Sequence, residues 1–341
     1  MEIMSIKAVL IGGSGYTGRE TLRWLARHGH VEVVGIFGSS NIGPIADIHP
    51  ILAKQVKMAQ QPYSPDTVAA LKPDVALLCV PHQIAMSYVP QLLAKGVKII
   101  DWSADYRIRN AAVYEKWYCE HTDKTSLAHA VYGLPELYRN QIKTAKLVAN
   151  PGCYPTCSIL ALAPLLRAGL IESENIFISA VSGVTGAGRK ATLENHYPER
   201  NENFEPYKVG NHRHTPEIEQ ILGEVADKPA NVLFQPHLCP MDQGMMCTIC
   251  ATPTAAVKDD SQLVDVMKNA YDAEPFVRVR TDTLPATKNV MNTNFCDVAV
   301  KLAKGRVLIF STIDNLLKGA STQAIQNLNV MFGLDETTGL Y

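Results

Sequence analysis

Three stretches of the chain could do chemistry. In the first, Asn150-Pro151-Gly152-Cys153-Tyr154-Pro155-Thr156, a thiol sits where a strand end is expected to meet a helix start. A sulfur so placed feels the helix dipole and its unpaired N–H groups, and both stabilise thiolate. Cys153 is therefore read as a nucleophile, with a buried structural cysteine as the plain alternative. In the second, Gly210-Asn211-His212-Arg213-His214-Thr215-Pro216-Glu217, two imidazoles precede a helix. Thr215 suits its N-cap and Pro216 its first turn. If the segment before the cap is extended, His212 and His214 point to one side and Arg213 to the other. A thiolate enzyme needs a partner that accepts and donates a proton near neutral pH, which is imidazole chemistry. Arg213 or Arg189 could hold a phosphate or carboxylate through paired hydrogen bonds. A metal held by His212, His214 and Glu217 lacks a convincing fourth ligand, so none is expected. The bland alternative is two surface histidines beside a helix cap.

The third stretch is Val9-Leu10-Ile11-Gly12-Gly13-Ser14-Gly15-Tyr16-Thr17-Gly18. Gly12 permits a tight turn, Gly15 lets a pyrophosphate approach the backbone, and Gly18 lets the helix pack on the strand. Ser14, Tyr16 and Thr17 lie between them as further contacts. At the end of the second strand, Ile36-Phe37-Gly38-Ser39-Ser40-Asn41 has no carboxylate to grip a ribose or repel a 2′-phosphate. The Ser39 and Ser40 hydroxyls could bond to one, so NADP(H) is the expected cofactor.

The elements that must position these groups follow from periodicity. Strands are expected at Lys7–Ile11, Val31–Phe37, Val75–Val80, Val97–Asp101 and Lys146–Ala149, and helices at Thr17–Arg27 and Ile84–Lys95. That alternation implies right-handed crossovers and a parallel sheet. Residues 102–145 are less regular and are expected to form an insertion whose loops reach the active site. Beyond Cys153, a helix at Thr156–Arg167 precedes strands at Ile176–Val181, Val232–Pro236, Met245–Ala251, Phe276–Arg280 and Asn294–Ala303. Several alternate with no helix expected between them, which implies a mostly antiparallel sheet with one face on helices. The fold class is thus α/β: a Rossmann dinucleotide-binding domain plus an α+β catalytic domain. Pattern alone does not place a last helical stretch, Leu316–Phe332.

Composition removes other functions. The 341 residues are 47% hydrophobic and 19% charged with formal net charge −1. No basic excess exists to draw nucleic acid or an anionic membrane, so a small-molecule substrate is expected. No apolar run approaches the roughly 18 residues of a membrane span. The opening residues show no secretory signal. Eight cysteines are too few for a disulfide scaffold of this length, so reduced thiols in a cytoplasmic compartment are expected. Apart from Cys153, most cysteines lie in apolar runs and are read as core; Cys157, one turn after Cys153, could form a redox pair with it.

Taken together, these motifs resemble the N-acetyl-γ-glutamyl-phosphate reductases of arginine biosynthesis. The resemblance extends to Ser103-Ala104-Asp105-Tyr106-Arg107, Tyr132-Gly133-Leu134-Pro135-Glu136, Ser182-Gly183-Val184-Thr185-Gly186-Ala187-Gly188-Arg189, Pro236–Met241 and Asn315–Ala320. It implies the fold of the aspartate-semialdehyde and glyceraldehyde-phosphate dehydrogenases, with the final helix returned to the nucleotide domain. The domains would be residues 1–152 with 315–341, and 153–314. It implies Cys153 as nucleophile and His212 as acid–base group, with His214 and Glu217 as supporting members. Arg107, Ser182 and Arg189 match segments near substrate, and Gly183 and Asn315 match segments near the nicotinamide. Cys157 stands where the family has a smaller residue, and Gln243 where it often has Arg. The implied reaction is attack of Cys153 on an acyl phosphate, hydride reduction of the thioester, and protonation by His212. A homo-oligomer, dimer or tetramer, is expected. The rivals are the same chemistry on N-acetyl-aminoadipyl or aspartyl phosphate, and a silent NADP-binding regulator.

Overall fold

The computed structural model describes residues 5–341; the first four, part of the stretch searched for a secretory signal, lie outside it. The chain divides into two compact units, residues 1–151 with 320–341, and residues 152–319. Seven helices among the described residues have ten residues or more: α1 (Tyr16–Leu25), α2 (Ala85–Ala94), α3 (Pro135–Thr144), α4 (Cys153–Arg167), α5 (Thr215–Ala226), α6 (Asp260–Tyr271) and α7 (Ser321–Met331). None is long and apolar enough to cross a membrane.

The first unit is built on apolar runs that burial on both faces demands. Its strands are β1 (Ile6–Ile11), β2 (Val31–Gly38), β3 (Gly43–Pro44), β4 (Ala59–Pro62), β5 (Val75–Leu78), β6 (Lys98–Asp101), β7 (Val131–Tyr132) and β8 (Leu147–Ala149). They lie in the order β3-β4-β2-β1-β5-β6-β8-β7, and all pairs are parallel except β3 with β4. The reversal of order beside β1 puts the glycine turn at the switch point, where such sheets bind ligands. Residues 102–145 begin as irregular chain. Asp101 through Ile108 are all buried, and the segment contributes β7 and α3. The final helix begins at Ser321, later than expected, because Asn315–Ala320 is a run of turns. It packs against α1, α3 and β6, and Ser321 Oγ donates to the Thr17 carbonyl at 3.0 Å.

The second unit holds β9 (Ile176–Gly183), β10 (Glu205–Pro206), β11 (Val232–Cys239), β12 (Met245–Ala251), β13 (Val277–Val279), β14 (Cys296–Ala303) and β15 (Arg306–Ile313). Their order is β10-β11-β9-β12-β15-β14-β13. Four of the six pairs are antiparallel; β9–β11 and β13–β14 are parallel. The expectation of strands with no helices between them is corrected in part, since α5 lies between β9 and β11 and α6 between β12 and β13. Strand β15 was not anticipated. Alternate residues such as Ile178, Ala180, Cys247, Ile249 and Ile309 are buried beneath α4, α5 and α6.

Candidate active site

Helix α4 begins with Cys153 itself. Its N-cap, Gly152, makes no side-chain cap, and no acidic residue occupies the first turn. The dipole end therefore acts on the partly exposed sulfur without a side-chain cap. Two contacts fix the turn. Glu217, buried on the first turn of α5, accepts the Gly152 N–H at 2.9 Å. Gly319 lies against Cys153 so closely that a Cβ there would come within 2.8 Å of Cys153 Cβ.

The histidines meet, but not by the route expected. Residues 208–211 bend and turn, so the segment is not extended. Thr215 is the first helical residue and His214 the N-cap, which corrects the assignment of Thr215 as cap. The two rings are nonetheless 4.8 Å apart, because the turn folds His214 N–H back onto His212 Nδ1 at 3.1 Å. His212 is buried, and burial, with Lys208 and Arg213 adding to it, pushes its pKa down to about 3. Its Nε2 faces the Tyr207 hydroxyl at 3.4 Å. Tyr207 donates to Tyr154 Oη at 3.2 Å, and Tyr154 donates to the His237 carbonyl at 3.4 Å. Charge on Cys153 is felt by both phenols, whose own ionisation is opposed chiefly by burial. Sequence reasoning missed Tyr207. Its one signal is its nearness to His212, and its position depends on β10 pairing with β11, where its N–H donates to the Pro236 carbonyl at 3.2 Å.

The remaining expected residues fall into two kinds. Some are engaged within the fold. Ser182 is buried at the end of β9, and its hydroxyl donates to the Gly183 carbonyl at 3.0 Å. Gly183 is obligatory by close approach, since a Cβ would meet the Asp242 carbonyl oxygen at 2.6 Å. Asn315 accepts the Gly244 N–H at 2.7 Å and donates to Thr185 Oγ1 at 3.0 Å, clamping two turns together. In the first unit Arg107 is buried, with Nε on the Asn150 carbonyl at 2.7 Å and Nη2 on the Trp102 carbonyl at 2.5 Å. Others face solvent: Arg189 is exposed and Arg213 half-exposed. Gln243 donates to both oxygens of buried Asp314, at 3.1 and 3.0 Å, so at this position an amide meets the carboxylate. Cys157 is buried one turn into α4 and bonded to Ser311 Oγ at 3.3 Å, where Cys296 also bonds at 3.4 Å. Of the other cysteines Cys247 is buried too, whereas Cys79, Cys119, Cys239 and Cys250 are partly exposed, which corrects the reading of most as core. Cys247-Thr248-Ile249-Cys250 is a CxxC spacing, contrary to the expectation that the chain holds no such pair. On β12 it sends the two thiols to opposite faces.

In the first unit each glycine of the loop has its own reason. Gly12 sits at φ +98°, and a Cβ would lie 2.3 Å from the Cys79 carbonyl oxygen. A Cβ on Gly18 would lie 2.4 Å from the Gly12 carbonyl oxygen. A Cβ on Gly15 would meet nothing within 4 Å. That open space lies at the N-cap of α1, which has neither a side-chain cap nor a first-turn acid, and Ser14, Tyr16 and Thr17 beside it are half-exposed. The arrangement fits a pyrophosphate. Ser39 and Ser40 are exposed at the end of β2. Buried Gln60 holds their loop, donating to the Ser40 carbonyl at 2.7 Å, and His49 Nε2 lies 3.0 Å from the Gly13 carbonyl oxygen. Neither residue stands out in the sequence. Among the described residues, no three His, Cys, Asp or Glu converge as metal ligands.

A doubly wound sheet with a dinucleotide turn, and a second unit that opens on a cysteine at a helix N-terminus with a histidine in the adjoining tyrosine cluster, define a dehydrogenase of the semialdehyde class. Residues 7–145 match the family described as semialdehyde dehydrogenase, NAD binding domain, and residues 153–315 its dimerisation domain. The fold is similar to that of aspartate semialdehyde dehydrogenase II of Vibrio cholerae, with TM-score 0.72, 15% identity, and coverage of 96% of this chain and 98% of that one. Over 99% of this chain and 98% of the relative, it is 47% identical to the N-acetyl-gamma-glutamyl-phosphate reductase of Symbiobacterium thermophilum. It is 48% identical to that of Desulforudis audaxviator over 98% of each. The chain belongs to the N-acetyl-gamma-glutamyl-phosphate reductase family. It is an oxidoreductase that uses a nicotinamide dinucleotide.

Proposed function

We propose that the protein reduces N-acetyl-γ-glutamyl phosphate to N-acetyl-glutamate 5-semialdehyde and phosphate, with NADPH as reductant and Cys153 as nucleophile. The observation that carries the chemistry is Cys153 at the uncapped start of α4, in the same cluster as Tyr154, Tyr207 and His212. The choice of substrate rests on the full-length relatives. The Cys153 sulfur bonds to the acyl carbon, the bond from that carbon to the phosphate oxygen breaks, and a thioester remains. The dinucleotide, when bound, supplies hydride. His212 serves the carbonyl oxygen through Nε2. Collapse of the tetrahedral adduct breaks the C–S bond and restores the thiolate. Helix α1 holds the pyrophosphate through the turn at Gly12–Gly18, with Gly183 and Asn315 shaping the turns assigned to the nicotinamide side. Ser39 and Ser40, with no carboxylate beside them, favour the 2′-phosphate of NADP(H). Arg189 and Arg213 are assigned to the substrate's phosphate and carboxylate, and Arg107 to bracing Trp102 and Asn150. His214 and Glu217 support His212 and the Gly152 turn. A thiolate nucleophile suits the reducing cytoplasm.

The test uses the full chain in reverse, with semialdehyde, NADP⁺ and phosphate. Activity should require phosphate, fall at least tenfold when aspartate or N-acetyl-aminoadipate semialdehyde is substituted, and die on alkylation with iodoacetamide. Cys153→Ser should abolish turnover and leave NADPH binding within about twofold. Phosphate-dependent turnover by that variant would refute the assignment.

A further inference from the structure

We infer that Gln60 is a positioning residue for cofactor choice: its amide turns two carbonyls of the Ser39–Ile42 loop inward, so that the loop presents hydroxyls and N–H groups to a 2′-phosphate. The inference rests on the proposed use of NADP(H), and adds to it the group that shapes the loop.

Strand β4 lies between β2 and β3, and the Ser39–Ile42 loop crosses it to join them. Gln60 stands opposite Ile36 of β2 and Gly43 of β3, and it is the one residue of β4 that is buried. Its Nε2 donates to the Ser40 carbonyl at 2.7 Å and to the Asn41 carbonyl at 3.1 Å. Carbonyls only accept, so the nitrogen of the amide must be the atom that faces them. The oxygen is left on the side of Gly13, buried and without a hydrogen-bond partner. The amide fits because two residues beside it lack side chains. A Cβ on Gly13 would stand 3.0 Å from Oε1, and a Cβ on Gly38 would stand 2.7 Å from Nε2. An apolar side chain of the same length would fill this slot and leave no acceptor buried and unpaired, which is a costly state. What the amide supplies beyond filling is the pair of bonds to the loop.

Those bonds decide which way the loop's polar groups point. In a trans peptide the N–H lies opposite the C=O. With the Ser40 and Asn41 carbonyls turned to Gln60, the Asn41 and Ile42 N–H groups turn away from it. Among the described residues nothing accepts from either N–H. Asn41 has φ +53°, the left-handed conformation in which successive N–H groups gather into an anion-binding hollow. Ser39 and Ser40, on the same loop, are exposed. Ile36–Asn41 holds no arginine or lysine, so binding there depends on neutral donors being held in place beforehand. Released from Gln60, the two carbonyls could swing outward and set their lone pairs against the phosphate. NAD(H) carries a hydroxyl where NADP(H) carries that phosphate, so the difference between the two is what Gln60 governs.

The test titrates the full chain by calorimetry with adenosine 2′,5′-bisphosphate and with AMP, which share the adenosine 5′-phosphate and differ by the 2′-phosphate. The native chain should bind the bisphosphate at least tenfold more tightly. Gln60→Met should weaken bisphosphate binding at least tenfold, leave AMP binding within about twofold, and leave Tm within about 3 °C. Gly38→Ala is the second variant should Gln60→Met fold poorly. It keeps the glutamine and sets a methyl where its amide lies, and it should show the same selective loss. A native preference that survives in the variants would overturn the inference and leave the NADP(H) reading standing. Parallel loss of both ligands would mark a merely structural residue and overturn it too. A native chain with no preference for the bisphosphate would remove the NADP(H) reading, and the inference with it.

Discussion

Asp101 shows how one residue can tie stability to pH. Folding buries its carboxyl completely, beside the equally buried Asp105, and pushes its pKa up to about 7 despite two hydrogen bonds from Ser103 and the charge of Arg107. A carboxyl raised in this way binds its proton more tightly in the folded chain than in the unfolded one. Its share of stability is therefore complete below about pH 4 and is lost as pH rises from about 4 to about 7. Asp101→Asn removes that slope. The unfolding free energy of the native chain, minus that of Asp101→Asn, should fall by on the order of 2 to 3 kcal/mol between pH 5 and pH 8. Denaturant titrations at both pH values measure it, and a difference that stays flat would show that Asp101 ionises freely. At this scale the sequence disclosed residues whose role is local. Cys153 announces itself through the helix that follows, and the glycine turn through its spacing. Tyr207, Gln60 and His49 act through groups that only the tertiary fold brings to them, such as the carbonyls that Gln60 and His49 bond. Nothing in their immediate neighbours marks them.

At the scale of elements, the three glycines of the β1–α1 turn separate folding from binding. Gly18→Ala drives a methyl into the Gly12 carbonyl oxygen and should cost about 1–3 kcal/mol of stability, since backbone cannot yield as a side chain can. Gly15 has φ −81° and open space, so Gly15→Ala should fold within about 0.5 kcal/mol of the native chain. Its methyl would occupy the approach of the pyrophosphate, and NADPH binding by fluorescence titration should weaken at least tenfold. Equal affinity in Gly15→Ala would remove the turn from the cofactor site. The strands that were legible, such as β1 and β12, are apolar runs or clean alternations. Strand β15 escaped because the turn before it is Lys304-Gly305, with φ +49° and +72°. A two-residue turn of this hand is usually signalled by Asn or Asp at its first position, and Lys conceals it. Strand β4 is Ala-Gln-Gln-Pro, a sequence without strand preference that pairs because β2 offers it an edge.

At the scale of the molecule, the second unit has one sheet face covered by α4, α5 and α6, and the opposite face open chiefly along β9 and β11, with Thr312 and Asp297 on it buried. Register places Leu233, Phe177, Cys250 and Leu308 in one row across four strands, and His237, Val181, Met246 and Thr312 in another. Leu233 is 61% exposed and Phe177 41%, and Val181, Met246, Leu308 and Phe310 are half-buried. A monomer seldom leaves so continuous an apolar face to water. The matching family model names residues 153–315 a dimerisation domain. A second copy of the chain seated on this face would turn two open sheets into one covered core. Alternation along β9, β11 and β12 foretold two faces, but it cannot tell a face that meets helices from one that meets a partner, because both select apolar side chains. Such a core predicts that a charge in the middle of the face separates the protomers. Leu233→Asp with Phe177→Asp would bury uncompensated carboxylates in the dimer at a cost of several kcal/mol, and leave them harmlessly solvated in the monomer. The dissociation constant across this face should rise at least 100-fold, so light scattering at about 10 μM protein should report a smaller assembly with native circular dichroism, where the unsubstituted protein, a dimer or tetramer, reports the larger one. A variant that keeps the larger assembly at that concentration would mean that the copies meet through another surface.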